Sequence, residues 1–421
     1  MIAGEIIDKL RVWGVRGVLD FLLRFISNRR HARILAHLAK KSRGTNPVRG
    51  ITVIADVLGQ VSLSKTMRDF ILSLRESNIP VQVYDTSREC EIPLSDAKSI
   101  VTPIVEFNLR RYDHIVMMYR SPLDERLVPE IECARIAFHE SNHGIDSTAP
   151  YLRESGDAII AMSDFNYNYY KLAFATQRVF KIVYPLRIAQ KSGTSRGELR
   201  TKFGIGPDDF VVFFNFDFGS YYRKNPIAAI KAFAAAFSDV PQAKLVFKTK
   251  NAKASSKHAD EMNKAVDAAG IKDRFIHISE YLPRAYLDGL TGASDVYLSL
   301  HKSEGFGLGM AEAMSQGKPV VATNWSANTE FCHEDTAWCV PYKMVPILPH
   351  EYMASMVEWA EPDVANAAKA LREIYDNPKR AAELASRGQK FIKEHFSLKN
   401  FKASVEAFLE GNDNLPNKEA D

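Results

Sequence analysis

Short apolar runs that alternate with helical segments constrain the fold of this chain more than any other feature. The runs are rich in Val, Ile and Phe, as in ITVIADV at 51–57 and FVVFFNF at 210–216. Strands that alternate with helices form parallel sheets covered on both faces, which explains why these runs are apolar throughout. The predicted strands are 51–57, 81–85, 114–119, 135–139, 157–162, 179–184, 210–216, 243–249, 275–279, 295–300 and 320–323.

A polar, glycine-containing stretch at about 185–208 interrupts this alternation and indicates a domain boundary. The chain has 421 residues, which is too long for one small core and suits two domains of roughly 150 to 200 residues. We therefore predict an α/β fold with two doubly wound, Rossmann-like sheets. The predicted parts are a basic amphipathic segment (1–46), a first domain (47–190), a second domain (191–395), and a last helix with a polar tail (396–421).

The composition predicts a cytoplasmic protein. No apolar run approaches the ~18 residues that a membrane span needs, and no secretory signal is present. The four cysteines show no spacing typical of a zinc site or of a disulfide framework, so free thiols in a reducing compartment are expected. They are Cys90, Cys133, Cys332 and Cys339.

Basic residues are concentrated at the start of the chain. Residues 1–43 contain ten Lys or Arg against three acidic residues, interleaved with apolar side chains such as Trp13, Phe25 and Leu35. Two interpretations stay open: the segment lies on an anionic membrane surface, or it forms helices that pack on the first domain with solvated basic faces. Nucleic-acid binding is not expected, because no nucleic-acid motif accompanies these residues and the rest of the chain is near neutral.

The block SEGFGLGMAEAMSQGKPVVAT, at 303–323, reads as a loop, a helix and a strand that follow the predicted strand at 295–300. In such a unit the helix N-terminus lies beside the carboxyl end of the preceding strand, where open α/β sheets hold ligands. Glu304 on the loop and Glu312 one turn into the helix are positioned to accept hydrogen bonds from the vicinal hydroxyls of a sugar or a ribose. Glycines between them allow close approach of the backbone.

The same block resembles the group 1 family of retaining glycosyltransferases with the GT-B fold, whose hallmark is two glutamates separated by seven residues. The resemblance implies two Rossmann-like domains that face each other across a cleft, the first on the acceptor side and the second binding the nucleotide sugar. It also implies that the last helix returns to the first domain. The implied activity is retaining transfer of a hexose-type sugar from a nucleotide-diphosphate sugar to a glycan or lipid-linked acceptor, in bacterial cell-surface polysaccharide or lipopolysaccharide synthesis. Peripheral attachment to the inner face of the cytoplasmic membrane would suit such an acceptor.

A second cluster, Arg223-Lys224-Asn225, precedes a helix that Asn225 and Pro226 open. Two cations before a helix start favour a diphosphate clamp, and family members have an Arg-Lys pair there. One departure is that Phe216-Asp217 stands where the family often has Gly-Arg. With the resemblance, the predicted catalytic residues are His139, Lys224 and Glu304. The predicted donor-binding residues are Arg223, Lys224, Lys248, Tyr281, Glu304, Gly305, Phe306, Gly307, Leu308 and Glu312, with Gly59 in a loop of the first domain.

The sequence predicts no metal site and no cofactor besides the nucleotide-sugar substrate. It has no Asp-x-Asp motif and no cluster of histidines and carboxylates with metal-ligand spacing. Two alternatives to a transferase stay open. One is a nucleotide-sugar epimerase on the same fold, and the other is a non-catalytic nucleotide-sugar-binding partner of a membrane glycosyltransferase.

Overall fold

The structure is a computed structural model that describes most of the chain and divides it into two compact units. The first unit spans Met1–His139, Ile145–Arg187 and Phe396–Asp421, and the second spans Glu140–Gly144 and Ile188–His395. Within these units the described residues are 23, 25–59, 62–88, 90, 92–118, 121–138, 144–145, 158–174, 176–187, 195–348, 351, 355–356 and 358–412.

The first unit contains a six-stranded parallel sheet. Its strands are β1 (Val48–Ala55), β2 (Val81–Asp85), β3 (Tyr112–Met118), β4 (Glu132–Ile136), β6 (Ala158–Ala161) and β7 (Arg178–Lys181), with a two-residue strand β5 (Gly144–Ile145) between β4 and β6 in sequence. The order across the sheet is β2-β1-β3-β4-β6-β7, and every pairing is parallel. The inner strands are buried on both faces, as the apolar runs predict.

The second unit contains another six-stranded parallel sheet and a small hairpin. The sheet strands are β8 (Phe210–Asp217), β9 (Ala243–Lys250), β10 (Phe275–Ile278), β11 (Val296–Ser299), β12 (Val320–Thr323) and β13 (Trp338–Val340). The order is β10-β9-β8-β11-β12-β13. Three further strands follow in sequence, β14 (Tyr342–Pro346), β15 (Ser355–Met356) and β16 (Glu358–Pro362), of which β14 and β16 pair antiparallel.

Helices cover the sheets, and none of the described helices is both long and apolar enough to cross a membrane. Residues 25–41 form α1. The others are α2 (Ser62–Glu76), α3 (Leu94–Ile100), α4 (Asp164–Ala173), α5 (Arg196–Lys202), α6 (Tyr221–Lys224), α7 (Pro226–Ala236), α8 (Ser256–Ala268), α9 (Arg284–Ala293), α10 (Leu308–Ser315), α11 (Val364–Asp376), α12 (Pro378–His395) and α13 (Leu398–Leu409).

The last helix, α13, packs within the first unit. The ring of Phe401 meets that of Phe70 edge to face at 5.5 Å, and Val183 donates its backbone N–H to the Ser404 hydroxyl at 3.1 Å. Phe408 lies between the rings of His114 and Phe180, each at 5.1 Å. The chain therefore contributes its C-terminal helix to the core of its first unit.

The two parallel sheets confirm the predicted α/β class, and the differences are local. The predicted polar boundary contains α5, which is started by a capping box: the Ser195 hydroxyl accepts the Glu198 N–H and the Glu198 carboxylate accepts the Ser195 N–H. Strand β4 ends at Ile136, and the predicted strand end at His139 lies outside the described residues. The strands β13, β14 and β16 were not predicted.

Candidate functional site

The strand order of the second sheet brings two loops together at the carboxyl ends of β8 and β11. These strands are neighbours, and the chain leaves β8 in one direction across the sheet and returns to begin β11 on the other side. Such a reversal is the point where open α/β sheets bind ligands. The two loops are joined directly, because Lys302 donates its backbone N–H to the Arg223 carbonyl at 2.8 Å.

Glu304, after β11, forms an ion pair with both cations that follow β8. Arg223 Nη1 lies 3.2 Å from Glu304 Oε2, and Lys224 Nζ contacts Glu304 Oε1. The Glu304 backbone N–H donates to the Ser326 hydroxyl at 2.8 Å, which fixes the loop from its other side. Three residues that the sequence predicted separately are therefore one cluster.

The cluster is buried and carries a net positive charge. Burial alone would raise the pKa of Glu304, but the charges of Lys224 and Arg223 overcome it and lower that pKa to about 2. Glu304 is consequently a carboxylate at neutral pH. Two cations against one carboxylate leave one positive charge in excess, which favours a bound anion.

The two cations are not equivalent. Arg223 also donates to the Ser303 carbonyl at 2.9 Å and to the Ser220 hydroxyl at 3.3 Å. Its side chain is 9% exposed, whereas that of Lys224 is 21% exposed. Arg223 therefore holds the loops together, and Lys224 is the cation that an incoming anion reaches more easily.

Helix α10 begins next to this cluster, and its first residues depend on glycine. Gly307 is the N-cap with φ +95°, and a Cβ there would lie 2.6 Å from Met310 Cε. Gly309 lies against Tyr297, where a Cβ would overlap the phenol oxygen. Leu308 is the first helical residue and is half-buried, while Gly305 and Phe306, in the loop before it, are buried.

Glu312 is held by an arginine that the sequence analysis did not identify. Arg284 Nη2 lies 2.5 Å from Glu312 Oε1 and 2.6 Å from Asp288 Oδ1. Burial opposes the charge of Arg284, but the two carboxylates prevail and raise its pKa above the ordinary value. Burial, with added repulsion from Glu304 and Glu312, raises the pKa of Tyr297.

A buried histidine, His301, connects the Glu304 loop to the end of β11 and to Asn328. His301 Nδ1 lies 3.0 Å from the Ser299 hydroxyl, and Nε2 lies 2.9 Å from Asn328 Oδ1. Burial is the largest effect on His301 and lowers its pKa, which keeps the ring neutral at pH 7. Asn328 in turn donates to the Thr323 carbonyl at 3.0 Å. In the sequence, only the position of His301, three residues before Glu304, could have indicated that it supports this loop.

The other predicted site residues are described by their own neighbours or lie outside the described residues. Lys248 lies two residues before the end of β9 and donates to the Thr249 carbonyl at 2.7 Å, and burial lowers its pKa. Tyr281 is 62% exposed in the loop after β10. Gly59 belongs to the first unit, where its N–H donates to Asp56 Oδ1 at 3.1 Å. His139 lies outside the described residues.

Among the residues that the structure describes, no group of three or more His, Cys, Asp or Glu side chains is arranged to hold a metal ion.

A comparison with protein families gives a match within the second unit. Residues 195–345 match the family model described as "Glycosyl transferases group 1". This range includes Arg223, Lys224, Glu304 and Glu312. A search of curated proteins gives no match.

Solved structures with the same fold include several glycosyltransferases. Sucrose-phosphate synthase from Thermosynechococcus elongatus is 14% identical, with a TM-score of 0.62 over 86% of this chain and 99% of the other. Anabaena HepE, solved with UDP and glucose, is 16% identical, with a TM-score of 0.63 over 86% and 100%. WaaG, a glycosyltransferase involved in lipopolysaccharide biosynthesis, is 12% identical, with a TM-score of 0.58 over 86% and 100%. Residues 195–345 are therefore similar to the group 1 glycosyl transferases, and the two parallel sheets of the chain have the GT-B fold.

Proposed function

We propose that this protein transfers a hexose-type sugar from a nucleotide-diphosphate sugar to a glycan or lipid-linked acceptor, with retention of anomeric configuration and without a metal ion. The observation that carries the proposal is the buried cluster of Arg223, Lys224 and Glu304 at the start of α10. Structures of the same fold bind UDP together with a sugar or a nucleotide sugar, which supports this class of donor.

The cluster would catalyse sugar transfer electrostatically, by stabilising the diphosphate as it leaves. Lys224 and the N-terminus of α10 would stabilise the charge that develops on the leaving phosphate, as preorganised donors do. When the diphosphate binds, the Lys224 ammonium interacts with the phosphates as well as with Glu304, so its interaction with Glu304 weakens. Glu304 is then able to accept hydrogen bonds from hydroxyls of the transferred sugar, and Glu312 from those of the ribose. The acceptor hydroxyl attacks the anomeric carbon on the face that the leaving group vacates, and its proton passes to the departing phosphate oxygen.

Four predicted residues extend this assignment. His139 would border the transferred sugar, Gly59 would allow the backbone to approach the phosphates, Lys248 would add a phosphate contact, and Tyr281 would lie against the base. The acceptor class assigns the protein to cell-surface polysaccharide or lipopolysaccharide synthesis, a role that one structural neighbour also has.

The test begins with thermal stabilisation by a panel of nucleotide sugars, since a ligand that binds only the native state raises its apparent stability. Transfer with the stabilising donor is then followed by NMR, which reports the anomeric configuration of the product. Glu304→Ala and Lys224→Ala are expected to lower kcat by about tenfold or more, because each removes a charge from the cluster. Glu383→Ala, on the exposed face of α12, is the control. Full activity in both cluster variants would contradict the proposal.

The basic N-terminal segment fits peripheral attachment to an anionic membrane. Helix α1 buries Leu35, Leu38 and Ala39 in the first unit, yet residues 25–43 contain six Lys or Arg and no acidic residue. All six are exposed, and Ile26 is 62% exposed beside them. Packing on the domain and binding to a membrane are therefore compatible interpretations of this segment.

Sedimentation with vesicles tests whether α1 binds a membrane in addition to packing on the domain. The protein is expected to sediment with phosphatidylglycerol vesicles and not with phosphatidylcholine vesicles, because each basic residue near an anionic surface contributes about 1 kcal/mol. Replacing Arg29, Arg30 and Arg33 by Gln should abolish sedimentation. The same change at Lys379, Lys390 and Lys393, exposed on α12, has an equal effect on net charge and should not. Equal sedimentation of both triple variants would show that α1 is not the membrane contact.

A further inference from the structure

The hairpin of β14 and β16 lies beside the loop that carries Glu304. Its two strands are Tyr342–Pro346 and Glu358–Pro362, and a hydrogen bond of 2.8 Å from the Asp363 N–H to the Pro341 carbonyl closes its base. Within it, Trp359 is fully buried although the strand is only five residues long. The tryptophan is buried where the hairpin packs against Lys302, in the loop that carries Glu304.

Lys302 is the residue through which the hairpin holds this loop. Its carbonyl accepts the Ala360 N–H at 3.0 Å, while its own N–H donates to the Arg223 carbonyl. Its ammonium lies 4.8 Å from the centre of the Trp359 ring and 2.7 Å from Glu361 Oε2. The backbone and the side chain of Lys302 are therefore both fixed, two residues before Glu304.

Glu361 connects the second loop as well. Its Oε1 accepts a hydrogen bond from Asn225 Nδ2 at 3.4 Å. Asn225 directly follows Lys224, has left-handed φ of 53°, and caps α7 by accepting the Ala228 N–H. One carboxylate of the hairpin thus has one oxygen on the loop that carries Glu304 and the other on the loop that carries Lys224.

A diphosphate makes such a support necessary. Without a ligand, the attraction between Glu304 and its two cations and the contacts of the hairpin together hold the loops in register. A bound diphosphate attracts Lys224 and repels Glu304, so that attraction weakens when positions matter most for transfer. Contacts that do not involve the phosphates must then maintain the geometry.

We propose that Glu361 and Lys302 are positioning residues, which hold Lys224 and Glu304 at a fixed separation through the β14–β16 hairpin when a diphosphate-linked donor is bound. The proposal rests on the proposed function, because it concerns the same cluster. The side chain of Glu361 is 39% exposed, so its neutral isostere is compatible with the fold.

The test compares Glu361→Gln, Lys302→Gln and the double variant in the full-length protein. Hydrogen–deuterium exchange of peptides that cover 220–226 and 299–306 reads the loops without any donor. Faster exchange is expected there in all three variants, with exchange elsewhere and Tm unchanged. Glu383→Gln, the same chemical change on α12, should leave the exchange of both loops as in the wild type.

Kinetics with the donor found in the nucleotide-sugar panel provide the second measurement. We expect kcat to fall about tenfold in each single variant while KM changes less than about threefold, since the cations that bind the donor remain. The loss of kcat in the double variant should be smaller than the product of the two single losses, because both changes break the contact between Lys302 and Glu361. Additive losses, or wild-type exchange and kcat in Glu361→Gln, would overturn the positioning role.

The two proposals fail in different ways. Wild-type protein that transfers no sugar from any nucleotide sugar in the panel contradicts the proposed function, and loop exchange then still decides whether the hairpin holds the cluster. Wild-type transfer together with unchanged exchange and kcat in Glu361→Gln contradicts the hairpin proposal alone.

Discussion

At the scale of single residues, the cluster depends on Glu304 being ionised. The folded-state pKa of this carboxyl is about 2, below its ordinary value of 4.5, because Lys224 and Arg223 outweigh the effect of burial. A carboxyl with a lowered folded-state pKa stabilises the folded protein at pH values above its unfolded-state pKa. This contribution is lost as the pH falls toward the folded-state pKa. The shift corresponds to about 3 kcal/mol. The affected range is therefore about pH 4.5 down to pH 2.

Glu304→Gln makes this contribution measurable. The free energy of unfolding of the wild type should exceed that of the variant at pH 6. The difference should shrink toward pH 3, because the pH then approaches the folded-state pKa of Glu304. Denaturant unfolding at both pH values gives the two differences. Glu383→Gln, at an exposed position, provides the baseline. A difference for Glu304→Gln that is the same at pH 6 and pH 3 would mean that the two cations do not stabilise the carboxylate.

Gly307 is the second residue whose chemistry fixes the site. Its φ of +95° is rarely adopted by other residues, and an added Cβ would also meet Met310 Cε at 2.6 Å. Gly204 has φ of +68° with no atom within 4 Å of an added Cβ, so it isolates the conformational cost. Gly204→Ala should cost about 1 kcal/mol and Gly307→Ala about 1 kcal/mol more, measured by denaturant unfolding. Equal losses would show that the Met310 side chain moves to accommodate the methyl group.

At the scale of secondary-structure elements, the sequence predicted what local pattern determines. Strand β2 and the start of α7 at Asn225-Pro226 agree with the prediction, because apolar runs and capping residues act over a few positions. The members of the cluster were predicted from their places in loops that follow buried strands together with the resemblance to the glycosyltransferase family. Arg284 was not, since its partner Glu312 lies on another helix and no spacing connects them. The hairpin was missed because Glu358–Pro362 has the composition of a loop and is ordered by Lys302.

Arg284 links two elements, α9 and α10, through Glu312. Arg284→Gln should lower the free energy of unfolding by about 2 kcal/mol, because it leaves the carboxylates of Asp288 and Glu312 in a largely buried place without their cation. Adding Glu312→Gln to this variant should recover part of the loss, since one buried charge is removed. A double variant that is less stable than Arg284→Gln would instead indicate that Glu312 has another cationic partner.

At the scale of the whole molecule, each sheet belongs to its own unit, but the chain does not complete the first unit until its last helix. Phe401 is fully buried and packs on Phe70 of α2, so α13 supplies core that residues 48–187 lack on their own. A chain ended after His395 would retain the complete sequence of the second unit and expose the apolar surface that α13 covers. The stability of the first unit should therefore depend on residues that follow the second unit in sequence.

Phe401→Ala tests this dependence without shortening the chain. Removal of a fully buried phenyl ring should cost about 3–5 kcal/mol, through lost burial and a cavity between α13 and α2. Hydrogen–deuterium exchange should accelerate in β1, β3 and β7 of the first unit and stay unchanged in β8 and β11 of the second. Lys402→Ala is the control on the same helix, because its side chain is 45% exposed and its 3.8 Å pair with Glu406 contributes little. Accelerated exchange in both sheets would mean that the two units unfold together, whereas acceleration in the first sheet alone assigns α13 to the stability of that unit.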